Sequence, residues 1–297
     1  EPGTLVDYTA QTGDTLPALA AHFNTTVDEI RAANPIIPQD ATTMPPGLPM
    51  KIPIYYQSLW GSPFHVLPDG HFINGPYQVG FDAKAFVEGQ PGWFKNYSAY
   101  MGGKTRSGGE IAAYIGENFS VSPRLLLAIL EYQSGALSQP EPPANEYLLG
   151  YRNSIYSHPE GQLIWAANTL NDGYYRWRIG SLTEFEYLDG RLERPDPWQN
   201  TATVALHYYY SRILDYNACA AAVGSEGLLK TYTTLFGDPW LTSADHIPGS
   251  LQQPALRLPF GPKVRWSYTG GPHTAWGTGE PFAALDFAPP VSGCSLS

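Results

Sequence analysis

Apolar residues recur at helical spacing in several separate windows of this chain, and most of those windows open on a capping signal. The first holds Leu16, Leu19, Ala20 and Phe23, a three-and-four spacing that lines one face of a helix. Thr26, followed three residues later by Glu29, is a capping box that starts a second helix, whose Val27 and Ile30 pack on the first. Ser107 and Glu110 form another box ahead of Ile111, Tyr114, Ile115 and Phe119. Ser122-Pro123 supplies an N-cap with proline at the first helical position. Leu125, Leu126, Ile129 and Leu130 follow in a strongly apolar helix that ends near Gly135. Further helices are expected around 159–175, 201–214 and 226–236, the last stopping at Gly237. Tyr208-Tyr209-Tyr210 would cover every side of its helix, which implies burial among neighbours.

Between these windows the periods fail. Residues 55–105 hold Trp60, Phe64, His65, His71, Phe72, Tyr77 and Phe81 among many Pro and Gly, and no period of 2 or 3.6 persists. Flexible linkers lack such aromatic content. The stretch therefore predicts an ordered strap packed on the next domain, with His65 and His71 in packing or turns. After Asp238-Pro239-Trp240 the composition turns to Pro, Gly and strand formers, with strand candidates at 264–269 and 283–287.

Length and charge narrow the class. A chain of 297 residues allows two or three domains. Its net charge of −10 argues against nucleic acid, whose binding needs a basic footprint. Only 15% of residues are charged, whereas Tyr (20), Trp (8), Pro (28) and Gly (30) are abundant. That composition suits extracellular carbohydrate-facing proteins and equally suits large cores with many turns. The sequence opens on Glu1 without a basic, apolar leader, and is read as a secreted form whose signal peptide has been removed. No apolar run approaches the ~18 residues of a membrane span. Two cysteines, Cys219 and Cys294, leave two arrangements open. They pair with each other, or Cys294 pairs outside this sequence and Cys219 is a buried apolar residue among Ala218, Ala220 and Ala221.

Residues 8–54 carry the most specific pattern. Tyr8-Thr9-Ala10-Gln11-Thr12-Gly13-Asp14-Thr15-Leu16 opens it, Thr26-Val27-Asp28-Glu29-Ile30 leads to Asn34, and Pro46-Gly47-Leu48-Pro49-Met50-Lys51-Ile52-Pro53 closes it. This resembles the LysM module, a strand–helix–helix–strand unit that binds peptidoglycan and other N-acetylglucosamine polymers. The resemblance implies a shallow groove lined by Gly13, Asp14, Thr15 and Leu16 and by Asn34, Pro35, Ile36 and Ile37.

The helix ending Leu130-Glu131-Tyr132-Gln133-Ser134-Gly135, set among several others, resembles the lysozyme-like fold of lytic transglycosylases. In that family a catalytic Glu directly precedes a Ser-Gly or similar pair. Here the position holds Gln133, which cannot donate a proton as an acid, and Glu131 lies about 200° around the helix. Either Glu131 is a glycosidase acid in an altered register, or the domain is a non-catalytic scaffold. Tyr147, Tyr151, Tyr156, Trp165, Tyr174, Tyr175 and Trp177 are available either to stack on sugars or to form the core.

Gly270-Gly271-Pro272-His273, then Asp286-Phe287-Ala288-Pro289, resembles the opening of a lysostaphin-type zinc endopeptidase. The resemblance implies that His273 and Asp286 are zinc ligands, and that a later His-x-His supplies a third ligand and the catalytic base. No His follows His273 in this sequence. Catalytic zinc takes three protein ligands and leaves one position for water. The site is then completed by a further segment, such as a C-terminal fragment of the same precursor cut near Cys294, or it is a relic. Alone, this chain is expected to be inactive.

The expected fold class is multidomain α+β. Residues 1–56 form a βααβ LysM module, 57–105 an ordered connector, 106–245 a mainly helical lysozyme-like domain, and 246–297 an incomplete β-rich metallopeptidase segment. The expected function is peptidoglycan binding at the cell wall, with cross-link cleavage by a completed zinc site. The alternatives are a non-catalytic wall-binding protein and a lytic glycosidase.

Overall fold

Capping decides where the first helices begin. A computed structural model of the chain describes residues 3–55, 60–242, 257–258, 260–273 and 284–289. Strand β1 (Thr4–Thr9) leads to helix α1 (Leu16–Phe23), helix α2 (Val27–Ala33) and strand β2 (Pro49–Ile54). Thr15 Oγ1 accepts from the Ala18 N–H at 3.3 Å, and Pro17 sits in the first turn of α1. The Thr26–Glu29 box starts α2, with Glu29 N–H on Thr26 Oγ1 at 3.2 Å and Thr26 N–H on Glu29 Oε2 at 3.0 Å. The strands pair antiparallel, Thr4 opposite Ile54 and Thr9 opposite Pro49. Leu16, Leu19, Phe23, Ile30 and Ile52 are wholly buried between the helices and this ribbon.

The second core is larger and is built around one helix. Short helices α3 (Asp69–Phe72) and α4 (Ala83–Glu88) precede a hairpin of β3 (Ser98–Met101) and β4 (Lys104–Ser107). Helices α5 (Gly108–Phe119), α6 (Pro123–Ser134) and α7 (Pro159–Arg178) follow. A two-residue ribbon of β5 (Phe185–Glu186) and β6 (Leu192–Glu193) then leads to α8 (Thr201–Ser211), α9 (Tyr216–Ala222) and α10 (Leu228–Phe236). Every residue of α6 from Leu125 to Leu130 is fully buried, so this helix is the axis on which the others pack. Tyr209 and Tyr210 are wholly buried, whereas Tyr208 is half-buried.

The aperiodic stretch contributes directly to this core through Val66, Leu67, Phe72, Val87 and Phe94. Its backbone is tied in as well. Asp69 Oδ1 accepts from the Ala202 N–H at the start of α8 (2.8 Å) and from Asn200 Nδ2 (2.7 Å). The Phe94 N–H donates to the Ala136 carbonyl at 3.1 Å. The helix expected over 201–214 is α8, which ends at Ser211, and Asp215 then caps α9 by accepting from the Ala218 N–H. His65 packs against Trp240, and His71 stacks on Tyr77 with Nδ1 2.9 Å from the Tyr232 hydroxyl.

Towards the C-terminus, β7 (Ser267–His273) and β8 (Ala284–Ala288) form an antiparallel pair. Cys294 and the residues joining the two strands lie outside the described residues. Cys219 is a buried free thiol. Among the described residues no helix is long and apolar enough to cross a membrane.

Helices α7 and α8 approach closely at Gly173, where an added Cβ would lie 2.9 Å from Tyr208 Cδ1 and 3.1 Å from Ala205 Cα. Replacing this glycine gains about 1 kcal/mol of helix propensity but overpacks a backbone contact at a cost of about 1–3 kcal/mol. For Gly173→Leu the larger side chain puts the clash at the upper end of that range, and urea unfolding is expected to show a net loss of about 2 kcal/mol. An unchanged midpoint would contradict this packing.

Candidate functional site

The β1–α1 turn is held by a half-buried carboxylate. Asp14 Oδ2 accepts from the Tyr8 hydroxyl and the Gln11 N–H, each at 2.7 Å. Burial raises the Asp14 pKa above the ordinary carboxylate value, against the opposing pull of those hydrogen bonds and of Arg178. Burial and the neighbouring Asp14 push the Tyr8 phenol well upward. The turn is also laced to the segment before β2. The Leu16 N–H donates to the Thr42 carbonyl (2.8 Å) and the Met44 N–H to the Asp14 carbonyl (2.9 Å).

The eight residues expected to line a sugar groove therefore differ in what they present. Gly13, Asp14 and Thr15 are partly exposed, and Pro35 and Ile36 are exposed, Ile36 by 79%. Leu16 and Ile37 are buried in one common core cluster, so they anchor the turn and the loop and offer a ligand only backbone. Asn34 is buried and its amide is consumed: Nδ2 donates to the Ile30 and Lys51 carbonyls, both at 2.6 Å, and Oδ1 accepts from the Lys51 N–H at 2.8 Å.

One side of the turn faces the second core. Arg178, at the end of α7, donates from Nη1 to the Thr12 carbonyl at 2.7 Å. Its guanidinium fills the space beside Gly13, whose backbone has φ of +85° and where an added Cβ would fall 1.6 Å from Nη2. Glycine is required there twice over, for the left-handed backbone and for the room. Next to it, His22 of α1 stacks on Trp177 with centroids 3.4 Å apart and planes 6° from parallel. His22 Nε2 is 2.8 Å from the Trp177 carbonyl, an acceptor that fixes the proton on Nε2. Gln11 Nε2 donates to the Trp198 carbonyl at 3.0 Å, Trp198 Nε1 to the Asp7 carbonyl at 3.1 Å, and the Trp198 ring meets Phe23 edge-on.

Of the aromatic residues on and around α7, Trp177 is spent on His22, Tyr174 on Phe72, and Trp165 on Tyr151. Nothing in the sequence linked Arg178 or Trp198 to the first module. The isolated glycine of Thr12-Gly13-Asp14 was the nearest signal, and a turn alone explains it.

At the end of α6, Glu131 Oε2 accepts from the N–H groups of Leu137 (2.7 Å) and Ser138 (3.2 Å), pinning the chain after the helix. Gln133 is a bridge. Its Oε1 accepts from the Tyr209 hydroxyl at 2.7 Å, and its Nε2 donates to the Leu149 carbonyl at 3.1 Å. A second polar group is buried near α8, where the Tyr187 hydroxyl donates to Glu193 Oε1 and meets His207 Nε2, both at 2.9 Å. Cys219 Sγ lies 3.9 Å from the His207 carbonyl, and burial pushes its thiol pKa up, the opposite of an activated nucleophile.

In the β7–β8 ladder His273 stands opposite Ala284 and Asp286 opposite Gly270, with register shifts in between. The two residues thus occupy paired strands, offset by two positions along β8 and three along β7. No cluster of three or more His, Cys, Asp or Glu with metal-binding geometry occurs among the described residues. The donors present are short of the three that catalytic zinc takes.

The family described as LysM domain matches residues 8–53. The family described as LasA, N-terminal domain, matches residues 65–250. That match exceeds half of the 297 residues, and the chain belongs to the LasA N-terminal domain family. It spans the aperiodic stretch and the helices together. No curated protein and no solved structure matches the chain.

Burial lowers the pKa of both His22 and His207 to about 4, whereas an unfolded imidazole titrates near 6.5. Between those values the unfolded chain takes up protons that the folded one excludes. Each histidine therefore costs no stability above about pH 6.5 and destabilises progressively as pH falls towards 4. Thermal unfolding of His22→Phe is expected to depend less steeply on pH than the parent between pH 7 and 4.5. Identical slopes would contradict the burial of His22 against Trp177.

Proposed function

We propose that this protein is an extracellular, cell-wall-associated member of the LasA class that binds peptidoglycan through its LysM module. The carrying observation is the pairing of a complete βααβ LysM module with a LasA N-terminal domain in one chain. LysM domains bind peptidoglycan and N-acetylglucosamine polymers, and LasA is a staphylolytic peptidase of the LytM type. The exposed tip Pro35-Ile36 and the partly exposed turn Gly13–Thr15 are the surfaces this module offers to a sugar chain. The hydrogen-bonded Asp14 and the saturated Asn34 hold those surfaces in shape.

The finer part of the proposal is a zinc endopeptidase acting on peptidoglycan cross-links, with His273 and Asp286 as two of its metal ligands. Zinc in such a site acidifies a bound water for attack on a peptide carbonyl. Two donors do not make that site, so no hydrolytic step is assigned to the residues of this chain. The proposal requires a complementing segment that carries the third ligand and the base. A glycosidase using Glu131 draws no support from the geometry, because its Oε2 accepts from two backbone N–H groups that pin the chain after the helix. Gln133 is likewise committed to Tyr209 and Leu149.

Co-sedimentation with purified peptidoglycan tests the wall-binding reading. The protein is expected to pellet with the insoluble polymer and to be released by soluble N-acetylglucosamine oligomers. Ile36→Asp removes the exposed apolar tip and adds a charge without touching the core. It is expected to weaken binding about tenfold, the ~1.4 kcal/mol of one lost apolar contact, with an unchanged melting temperature. Retention of full binding by this variant would move the sugar site away from the loop.

A further inference from the structure

Three concavities on the second domain meet at one side chain. Arg212, exposed just past the end of α8, lines clefts of about 240, 490 and 260 Å³. The middle one is formed by Asn145, Tyr151, Arg152, Leu188, Arg212 and Ile213, with the backbone of Gly150. It holds two guanidinium groups and no carboxylate, in a chain whose net charge is −10. Neither Arg152 nor Arg212 forms an ion pair among the described residues. Leu188 is 67% exposed beside them, so the cleft joins a positive, multidentate wall to an apolar one.

The adjoining cleft shares Tyr151 and Arg212 and adds Trp165, Asn168, Asp172 and Tyr208. Its polar groups are already oriented. The Tyr208 hydroxyl donates to Asp172 Oδ2 at 2.8 Å, and Arg176 Nη1 lies 3.2 Å from that hydroxyl and 3.6 Å from the carboxylate. Asp172 is thereby balanced locally and does not cancel Arg212. Tyr151 is held by its stack on Trp165, with centroids 4.3 Å apart and planes 5° from parallel. The third cleft carries Glu186, which leaves the middle cleft as the one suited to an anion.

Rigid aromatic edges beside amide and hydroxyl groups suit a pyranose ring bearing an acetamido group. A pair of unpaired arginines suits a carboxylate, which a guanidinium binds through two parallel hydrogen bonds. We propose that the joined clefts around Arg212 are a second peptidoglycan-binding site. A carboxylate of the lactyl-peptide portion lies between Arg152 and Arg212, and the adjoining sugar lies against Tyr151, Asn168 and Tyr208. The choice of ligand rests on the wall-binding reading, but the site is separate from the LysM surface. Asn168 lies about 15 Å along α7 from the Arg178 joint.

Calorimetric titration of the full chain tests this with two probes: a soluble disaccharide-peptide fragment of peptidoglycan, and an uncharged N-acetylglucosamine tetramer. The fragment is expected to show two classes of site and the tetramer one. The double variant Arg152→Ala/Arg212→Ala is expected to weaken one class of fragment binding at least tenfold. It leaves tetramer binding and the melting temperature unchanged. The double lysine variant, which keeps charge but loses the planar fork, is expected to fall in between. Fragment binding that is identical in the parent and the alanine variant overturns the proposal. So does a single class of sites abolished by Ile36→Asp alone, which would leave the LysM reading intact. If the tetramer fails to bind while the arginine-dependent class persists, the LysM reading fails and this site stands.

Discussion

The contact on which the arrangement depends is the seating of α1 on the end of α7. A small LysM module has one buried helix face and one thin ribbon, and its own core is confined to a dozen apolar side chains. Laying His22 flat on Trp177 and closing Arg178 over Gly13 gives it a second buried surface. Each contact restricts chemistry elsewhere. The imidazole must stay neutral to be buried, the turn must keep a glycine, and the guanidinium is held by the Thr12 carbonyl. The sugar-binding surface expected of the module is therefore presented in an orientation set by the LasA N-terminal domain, with one flank of its turn already covered.

That arrangement separates two kinds of polar residue that look alike in a sequence. Asp14, Asn34, Glu131 and Gln133 all have the side chains of binding or catalytic groups. Asn34 and Gln133 have both amide atoms engaged within the protein, and Asp14 and Glu131 each have one carboxylate oxygen accepting two hydrogen bonds. Buried polar groups without partners are costly, so such residues hold turns and helix ends in place. The residues that remain open to a ligand, among them Ile36, Arg152, Arg212 and Asn168, are exposed and carry no local signature.

The legible part of the fold was its local part. Both capping boxes, the Ser122-Pro123 helix start and the apolar run of α6 are written in residues within one or two turns of each other, and the helices begin where those residues place them. The β3–β4 hairpin was missed because its Gly102-Gly103 turn is flanked by strands too short to show a period. The contribution of residues 60–105 to the core was only partly visible, since aromatic content argues for order but not for a partner. Its anchors are pairs such as Asp69 with Ala202 and Val66 with Thr203, more than a hundred residues apart. The Arg178–Thr12 bond spans 166 positions, and neither residue is unusual in its own neighbourhood. Long-range pairings leave no mark on periodicity, which is why the module's seat and the clefts around Arg212 emerged only from the fold.

The most direct test of the account is a two-dimensional amide spectrum of isotope-labelled full-length protein, titrated with N-acetylglucosamine oligomers. Binding at the LysM surface predicts shifts concentrated at Gly13, Asp14, Thr15 and Ile36, with the amides around Trp177 and Arg178 responding through the joint. Saturable binding that leaves those amides unmoved, or no binding at all, would contradict it.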